Sequence, residues 1–267
     1  MTQQFFDLTP SQRSKRYFVI IRSGHVDLIY ALPEDGDPRE RWDYFHYTFR
    51  EHAHRSGDKR HAGEQNHLRK SVREGLSRSS HDSDSLLQSY TRDCKKLDKK
   101  FAFKTRQSLA NALQACYDKY LPRARAQGKR LVFAWVGSDE SAPVAPLRPP
   151  WAKEANVPKA IDNLGYELVE INGYKTATRC SICYGPLKPC WGTKKDRNNF
   201  RAECCDPETY EIIDGLRLCD SDFCRLTLPN DQPYRIMNLD KIILGNAMAI
   251  VQSLKRPQYL RYSTIES

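Results

Sequence analysis

Hydrophobic positions along the chain fall first into short, dense runs. Residues 17–21 (Tyr-Phe-Val-Ile-Ile) and 26–32 (Val-Asp-Leu-Ile-Tyr-Ala-Leu) are β-type, and turn chemistry closes each of them: Arg22-Ser23-Gly24, then 33–38 with two prolines, acids and a glycine. The aromatic-rich residues 42–49 read as a third strand. The three together predict an antiparallel meander with short connections. Residues 50–85 are polar and basic, and 77–83 are their most loop-like part. Asp84 or Ser85 then suits the N-cap of a helix through Leu86, Leu87 and Tyr90. Leu109, Leu113, Cys116 and Tyr120 recur at helical spacing and predict a helix over 101–120, ended by Pro122 and Gly128.

Residues 130–136 are a short buried strand, followed by a loop over 137–150 that carries four prolines. Residues 157–164 predict a brief helix with Gly165 as its C-cap, and 166–171 a further strand. A last hydrophobic segment opens at Asn238-Leu239-Asp240 and predicts a helix over 241–253. The order β-β-β-α-β-α-β therefore predicts an α/β fold. Its mixed sheet has three antiparallel strands and two that arrive by helical crossovers. No internal repeat is visible.

Charge changes the picture. The chain of 267 residues has 43 Lys and Arg against 33 Asp and Glu, a net +10. That balance favours a polyanionic partner. The excess is concentrated in residues 50–106, where 15 Lys and Arg stand against 8 Asp and Glu, beside five of the seven histidines. The polar, basic first sixteen residues hold no secretory h-region, and no run approaches the roughly 18 apolar residues a membrane helix needs. These features predict an intracellular chain, in which paired cysteines point to metal rather than to disulfides.

Nine cysteines are present. Cys180 and Cys183 have two residues between them, Cys219 and Cys224 have four, and a polar loop joins the pairs. Such pairs converge as four thiolates on one structural, tetrahedral Zn²⁺. Cys190, Cys204 and Cys205 are alternative ligands, and four unmetallated thiols are the competing reading. Cys94 and Cys116 fall on predicted helices as small hydrophobes. Between the pairs, Lys188, Lys194, Lys195, Arg197 and Arg201 interleave with Trp191 and Phe200. That mixture suits phosphate contacts with base stacking, while Trp191 equally suits packing of the ribbon. Asp240, taken alone, is an acid favoured in a helix's first turn by the dipole.

With these elements placed, several stretches resemble the C-terminal RuvC-like nuclease region of the TnpB and Fanzor proteins, transposon-encoded RNA-guided endonucleases related to the type V CRISPR effectors. Tyr174-Lys175-Thr176-Ala177 followed by Cys180 and Cys183 resembles the family's approach to its first zinc pair, and Gly215 to Cys219 the lead-in to the second. Asn238-Leu239-Asp240 with Asn246 resembles the last catalytic helix, and 132–138 the strand before the substrate-facing loop. The resemblance spans roughly residues 17–251 and implies an RNase H-like (RuvC-like) sheet with a zinc ribbon inserted before the last helix. Its boundaries would be 1–177 for the RuvC-like domain with a basic helical stretch at 50–127, 178–230 for the ribbon, and 231–267 for the final helix and tail.

The resemblance also implies three metal-holding carboxylates, and only one is present. Arg22 stands at the place of the first acid, Gly173 at the place of the second, and Asp240 keeps the third. One carboxylate does not hold two Mg²⁺ or Mn²⁺ ions, and a permanent cation at Arg22 repels them. Arg22 would instead suit a phosphate. The chain is therefore expected to be a nucleic-acid-binding protein, on DNA or RNA, degenerate as a nuclease. The first alternative is a working Mg²⁺- or Mn²⁺-dependent endonuclease in which Asp27, Asp139 or Glu140 assists Asp240. The second is a protein-interaction module using the ribbon. The family's large N-terminal region is not in this sequence, so the expected readings are a fragment, a decayed transposon copy, or a domesticated piece for which a protein partner supplies that region. A eukaryotic host would imply a nuclear protein.

Overall fold

The computed structural model describes residues 3–24, 27–37, 40–78, 83–137, 156–193, 200–201, 206, 208–226, 234–253 and 256–261. A short edge strand, β1 (Gln3–Gln4), precedes α1 (Pro10–Ser14). The meander follows as β2 (Arg16–Arg22), β3 (Asp27–Pro33) and β4 (Phe45–Thr48), antiparallel in sequence order. Helices α2 (Phe49–Ser56), α3 (Asp58–Arg78) and α4 (Ser83–Ala126) lead to β5 (Arg130–Val136). Then α5 (Val157–Asn163) leads to β6 (Leu168–Ile171).

The six strands form one sheet in the order β1-β6-β5-β2-β3-β4. β5 lies parallel to β2, and β6 parallel to β5. The first strand of the meander is thus central, with the hairpins on one side and the crossover strands on the other. That is a mixed α/β sheet of RNase H-like order. Only β1 was not anticipated: two glutamines carry no periodicity, and they are held by parallel pairing to β6 beside a fully buried Phe5.

Both faces of the sheet are covered, which is why β2 reads as an unbroken apolar run rather than an alternation. On one face, Tyr17, Val19, Ile21 and Phe133 meet Leu109, Leu113, Cys116 and Tyr120 of α4 and Ile161 of α5. On the other, Phe18, Ile20, Tyr30, Val132 and Val169 meet α7 (Leu239–Gln252) through Leu239, Ile243, Leu244 and Ala247.

Three boundaries differ from the sequence reading. The strand expected over 42–49 is only β4: Arg41–Asp43 is a 3-10 turn, and Thr48 caps α2 by accepting from the Glu51 amide at 3.0 Å. The two helices expected near 86–90 and 101–120 are one helix of 44 residues. Its charged middle hides a real inner face, because His61 of α3 stacks on Phe101 at 4.2 Å and meets Asp98 at 3.0 Å. Pro122 does not end it either, since Tyr120 and Ala124, both fully buried, hold the helical path one turn further. The stop comes at Gly128, whose φ of 64° lies in the left-handed region that a residue without Cβ enters at no steric cost.

A second, antiparallel sheet contains β7 (Lys188–Thr193), β8 (Phe200–Arg201), β9 (Tyr210–Cys219) and β10 (Arg235–Asn238) in the order β10-β9-β7-β8. Between β9 and β10 lies α6 (Asp222–Leu226). β10 runs straight into α7, and Asn238 caps that helix by accepting from the Lys241 amide at 3.1 Å. The ribbon therefore delivers the chain to the helix that carries Asp240.

Candidate functional site

Asp240 sits in the first turn of α7, at the end of β2, and is 1% exposed. Its neighbour is Arg22, the last residue of β2. The two meet because Arg22 shares with Phe18 and Ile20 the sheet face that α7 covers. Arg22 Nε lies 3.4 Å from Asp240 Oδ1. The backbone just beyond is pressed onto the same carboxylate: a Cβ at Gly24 would stand 2.6 Å from Asp240 Cγ and 2.9 Å from Oδ1. The Gly24 amide donates to the Asp27 carbonyl at 2.8 Å, which fixes the turn in that position.

An aromatic group adjoins the pair. Tyr30 stacks on Tyr44 at 4.9 Å and meets the His46 ring at 4.4 Å, while Lys241 stands over Tyr44 at 5.3 Å. Burial pushes the Tyr30 phenol up, and the nearby Tyr44, Asp27 and Asp240 add to it. Asp27 itself is engaged by His46, whose Nδ1 lies 3.2 Å from Asp27 Oδ2. Asp139 and Glu140 lie outside the described residues. Among the described residues, no carboxylates or histidines gather around Asp240 as a group of three potential metal ligands. These residues do not fit a two-metal centre, which needs several hard oxygen ligands where a guanidinium stands.

Gly173 is part of a turn rather than of any acidic cluster, and its carbonyl accepts from the Thr176 amide at 3.0 Å. The turn is fixed to α7. Buried Asn246 donates through one side-chain nitrogen to the Thr176 and Arg179 carbonyls, both at 2.8 Å. Arg256 donates to the Asn172 carbonyl at 3.0 Å and also to that of Tyr174. The Tyr174–Ala177 stretch and Asn246 thus belong to one fixture that carries the chain from β6 into the ribbon.

There the four expected cysteines converge. The sulfurs of Cys180, Cys183, Cys219 and Cys224 all lie within 4.8 Å of one another. Cys180 and Cys224 are 3.8 Å apart, Cys183 and Cys219 3.5 Å. Zn–S bonds of about 2.3 Å at tetrahedral angles require sulfurs about 3.8 Å apart, so the set fits such an ion. Burial works against the Cys183 thiolate, but Ser221 Oγ, donating at 3.0 Å, and the Gly185 amide outweigh it and bring its pKa down to about 7. Burial pushes Cys224 up to about 11 and Cys180 further up. A divalent cation would compensate that desolvation. Cys190 is buried on β7 outside the cluster, whereas Cys204 and Cys205 lie outside the described residues.

The cations expected on the ribbon are less complete. Lys188 pairs with Asp220 at 2.8 Å. Arg201 sits on β8 opposite Trp191. Lys194, Lys195 and Arg197 lie outside the described residues. Among the described residues, no helix is long and apolar enough to cross a membrane.

Fold and site together define a class: a mixed α/β protein with an RNase H-like sheet and a four-cysteine ribbon ahead of its last helix. No family model matches the chain, and no curated protein does. Among solved structures, the chain is similar in part to one in the Cas12f1–sgRNA–target DNA complex, with a TM-score of 0.40 and 14% identity. The match covers 67% of this chain and 32% of that one, so this chain spans about a third of the other's length.

Proposed function

We propose that this chain is a nucleic-acid-binding protein on a RuvC-like scaffold of the TnpB and Fanzor kind, with a structural Zn²⁺ in its ribbon and a nuclease centre closed by its own arginine. In this reading, residues 178–230 with β10 form the ribbon unit, and 1–177 with the chain from Leu239 onward form the sheet unit. One observation carries it: the cation of Arg22 is 3.4 Å from Asp240, at the place where a nuclease of this resemblance needs its first carboxylate. The ion pair neutralises the acid that would otherwise attract Mg²⁺. Cys180, Cys183, Cys219 and Cys224 would hold the Zn²⁺, which supplies only cross-linking, because all four positions are filled by protein sulfur. The net charge of +10 supports a polyanionic partner.

The test is binding of the full, zinc-loaded chain to labelled single- and double-stranded DNA and RNA over a salt series. Affinity that falls linearly in log–log form with salt is expected. Absence of binding at low salt overturns the reading. It would favour a protein partner for the ribbon, where Phe223 and Leu226 of α6 are 59% and 86% exposed.

A further inference from the structure

The 44 residues of α4 cross two environments. Their inner face packs on α3, on α2 and on the sheet, while the opposite face is exposed among the described residues. At about 100° per residue, Arg92, Lys95, Lys99, Phe103 and Arg106 project within about 60° of one direction, along about 21 Å of helix. All five are exposed. Phe103 is 62% exposed in the middle of the row, although a phenyl ring in water gains nothing by being there. Among the described residues, Arg92, Lys95, Lys99 and Arg106 have no carboxylate within ion-pair distance. Their neighbours do: Lys96 is 3.7 Å from Asp93, and Lys70 is 3.9 Å from Glu74.

The row is shaped as well as charged. Around Arg92, Lys95 and Lys99 it borders a concavity of about 620 Å³. Further along, Phe103 and Arg106 face Lys159 of α5 across a groove of about 560 Å³, edged by Gln107, Asn156 and Asn163. A line of cations without an ion pair among the described residues, with Asp84 at the rim of the first concavity and one accessible aromatic ring in the row, matches alternating phosphates and an unstacked base. A duplex presents the same phosphates but keeps its base faces covered, so it would leave Phe103 unused.

We propose that this face of α4, with the α5 groove, is a track for a single-stranded polynucleotide. Arg92, Lys95, Lys99, Arg106 and Lys159 hold phosphates, and Phe103 stacks a base. The inference rests on the nucleic-acid reading above and places it on α4, which covers the face of the sheet opposite to the one α7 covers.

The experiment measures fluorescence anisotropy of the full zinc-loaded chain with short single-stranded DNA, single-stranded RNA and a duplex, at several salt concentrations. Phe103→Ala is expected to weaken single-strand binding roughly ten- to hundredfold, with the salt slope unchanged and duplex binding unaffected. The triple change Arg92→Gln, Lys95→Gln, Lys99→Gln is expected to lower the single-strand salt slope by about 2, at about 0.7 per phosphate contact. All these positions are exposed, and circular dichroism confirms that the fold persists. If the wild type binds but both variants match it, the track is wrong while the nucleic-acid reading stands. A loss in the triple variant with no effect of Phe103→Ala overturns the single-strand assignment. If the wild type binds no polynucleotide, both fail together.

Discussion

The guanidinium of Arg22 and the carboxylate of Asp240 join the end of a strand to the start of a helix, with side chains only 14% and 1% exposed. Two charges so placed have lost most of their water and depend on each other. Removing one partner takes the facing opposite charge away from a buried group. Removing both in favour of apolar groups does not.

Accordingly, Arg22→Met should cost about 3–5 kcal/mol in unfolding free energy, and the double variant Arg22→Met, Asp240→Leu should recover most of it. Urea titration measures both. A single variant as stable as the wild type would show that the pair is not a mutual dependence.

Gly24 makes a second, steric claim on the same carboxylate. A methyl group there collides with Asp240, so Gly24→Ala should destabilise by about 1–3 kcal/mol. In an Asp240→Ala background the same change should be nearly silent. Equal effects in both backgrounds would mean that the Gly24 requirement lies in its own backbone.

The cysteine ribbon predicts one zinc per chain by elemental analysis, lost together with thermal stability on chelation. Cys183→Ser and Cys224→Ser should each release the metal, whereas Cys190→Ser should retain it, because Cys190 lies outside the cluster. Loss of zinc in the Cys190 variant would move the site.

Acid should act through His52. Fully buried beside Tyr47, whose hydroxyl lies 3.1 Å from its Nδ1, it has its pKa pushed by burial down to about 4 from 6.5. The folded state therefore binds this proton less readily than the unfolded chain does. Its contribution is present above pH 6.5 and is lost as pH falls through 4, by up to roughly 3 kcal/mol. His52→Gln should flatten the pH dependence of the melting temperature over that interval. An unchanged profile would locate the acid sensitivity elsewhere.

Much of this architecture was legible because its signals are local. The dense runs at 17–21 and 130–136 could only be covered strands, and the glycine after 157–164 does close α5, with φ 72° at Gly165. The cysteine spacing was enough to find the four sulfurs. What escaped depends on partners distant in sequence. Arg22 and Asp240, 218 positions apart, are put together by the family resemblance alone, since no local pattern in either announces the other. The inner face of α4 between Cys94 and Phe101 shows itself only with α3 against it, where Asp98 meets His61 and Gln65 and Phe101 stacks on His61, so the charged surface masked the helix. Asn246 resembled a family signature, yet here its amide joins Thr176 and Arg179 to α7, a role visible only once both segments are folded.

The most direct test of the closed centre is cleavage. Labelled single- and double-stranded DNA would be incubated with the full zinc-loaded chain and Mg²⁺ or Mn²⁺, beside Asp240→Ala. The account predicts intact substrate in every lane. Cutting by the wild type that disappears in Asp240→Ala would contradict it, because Asp240 would then be holding a metal rather than Arg22.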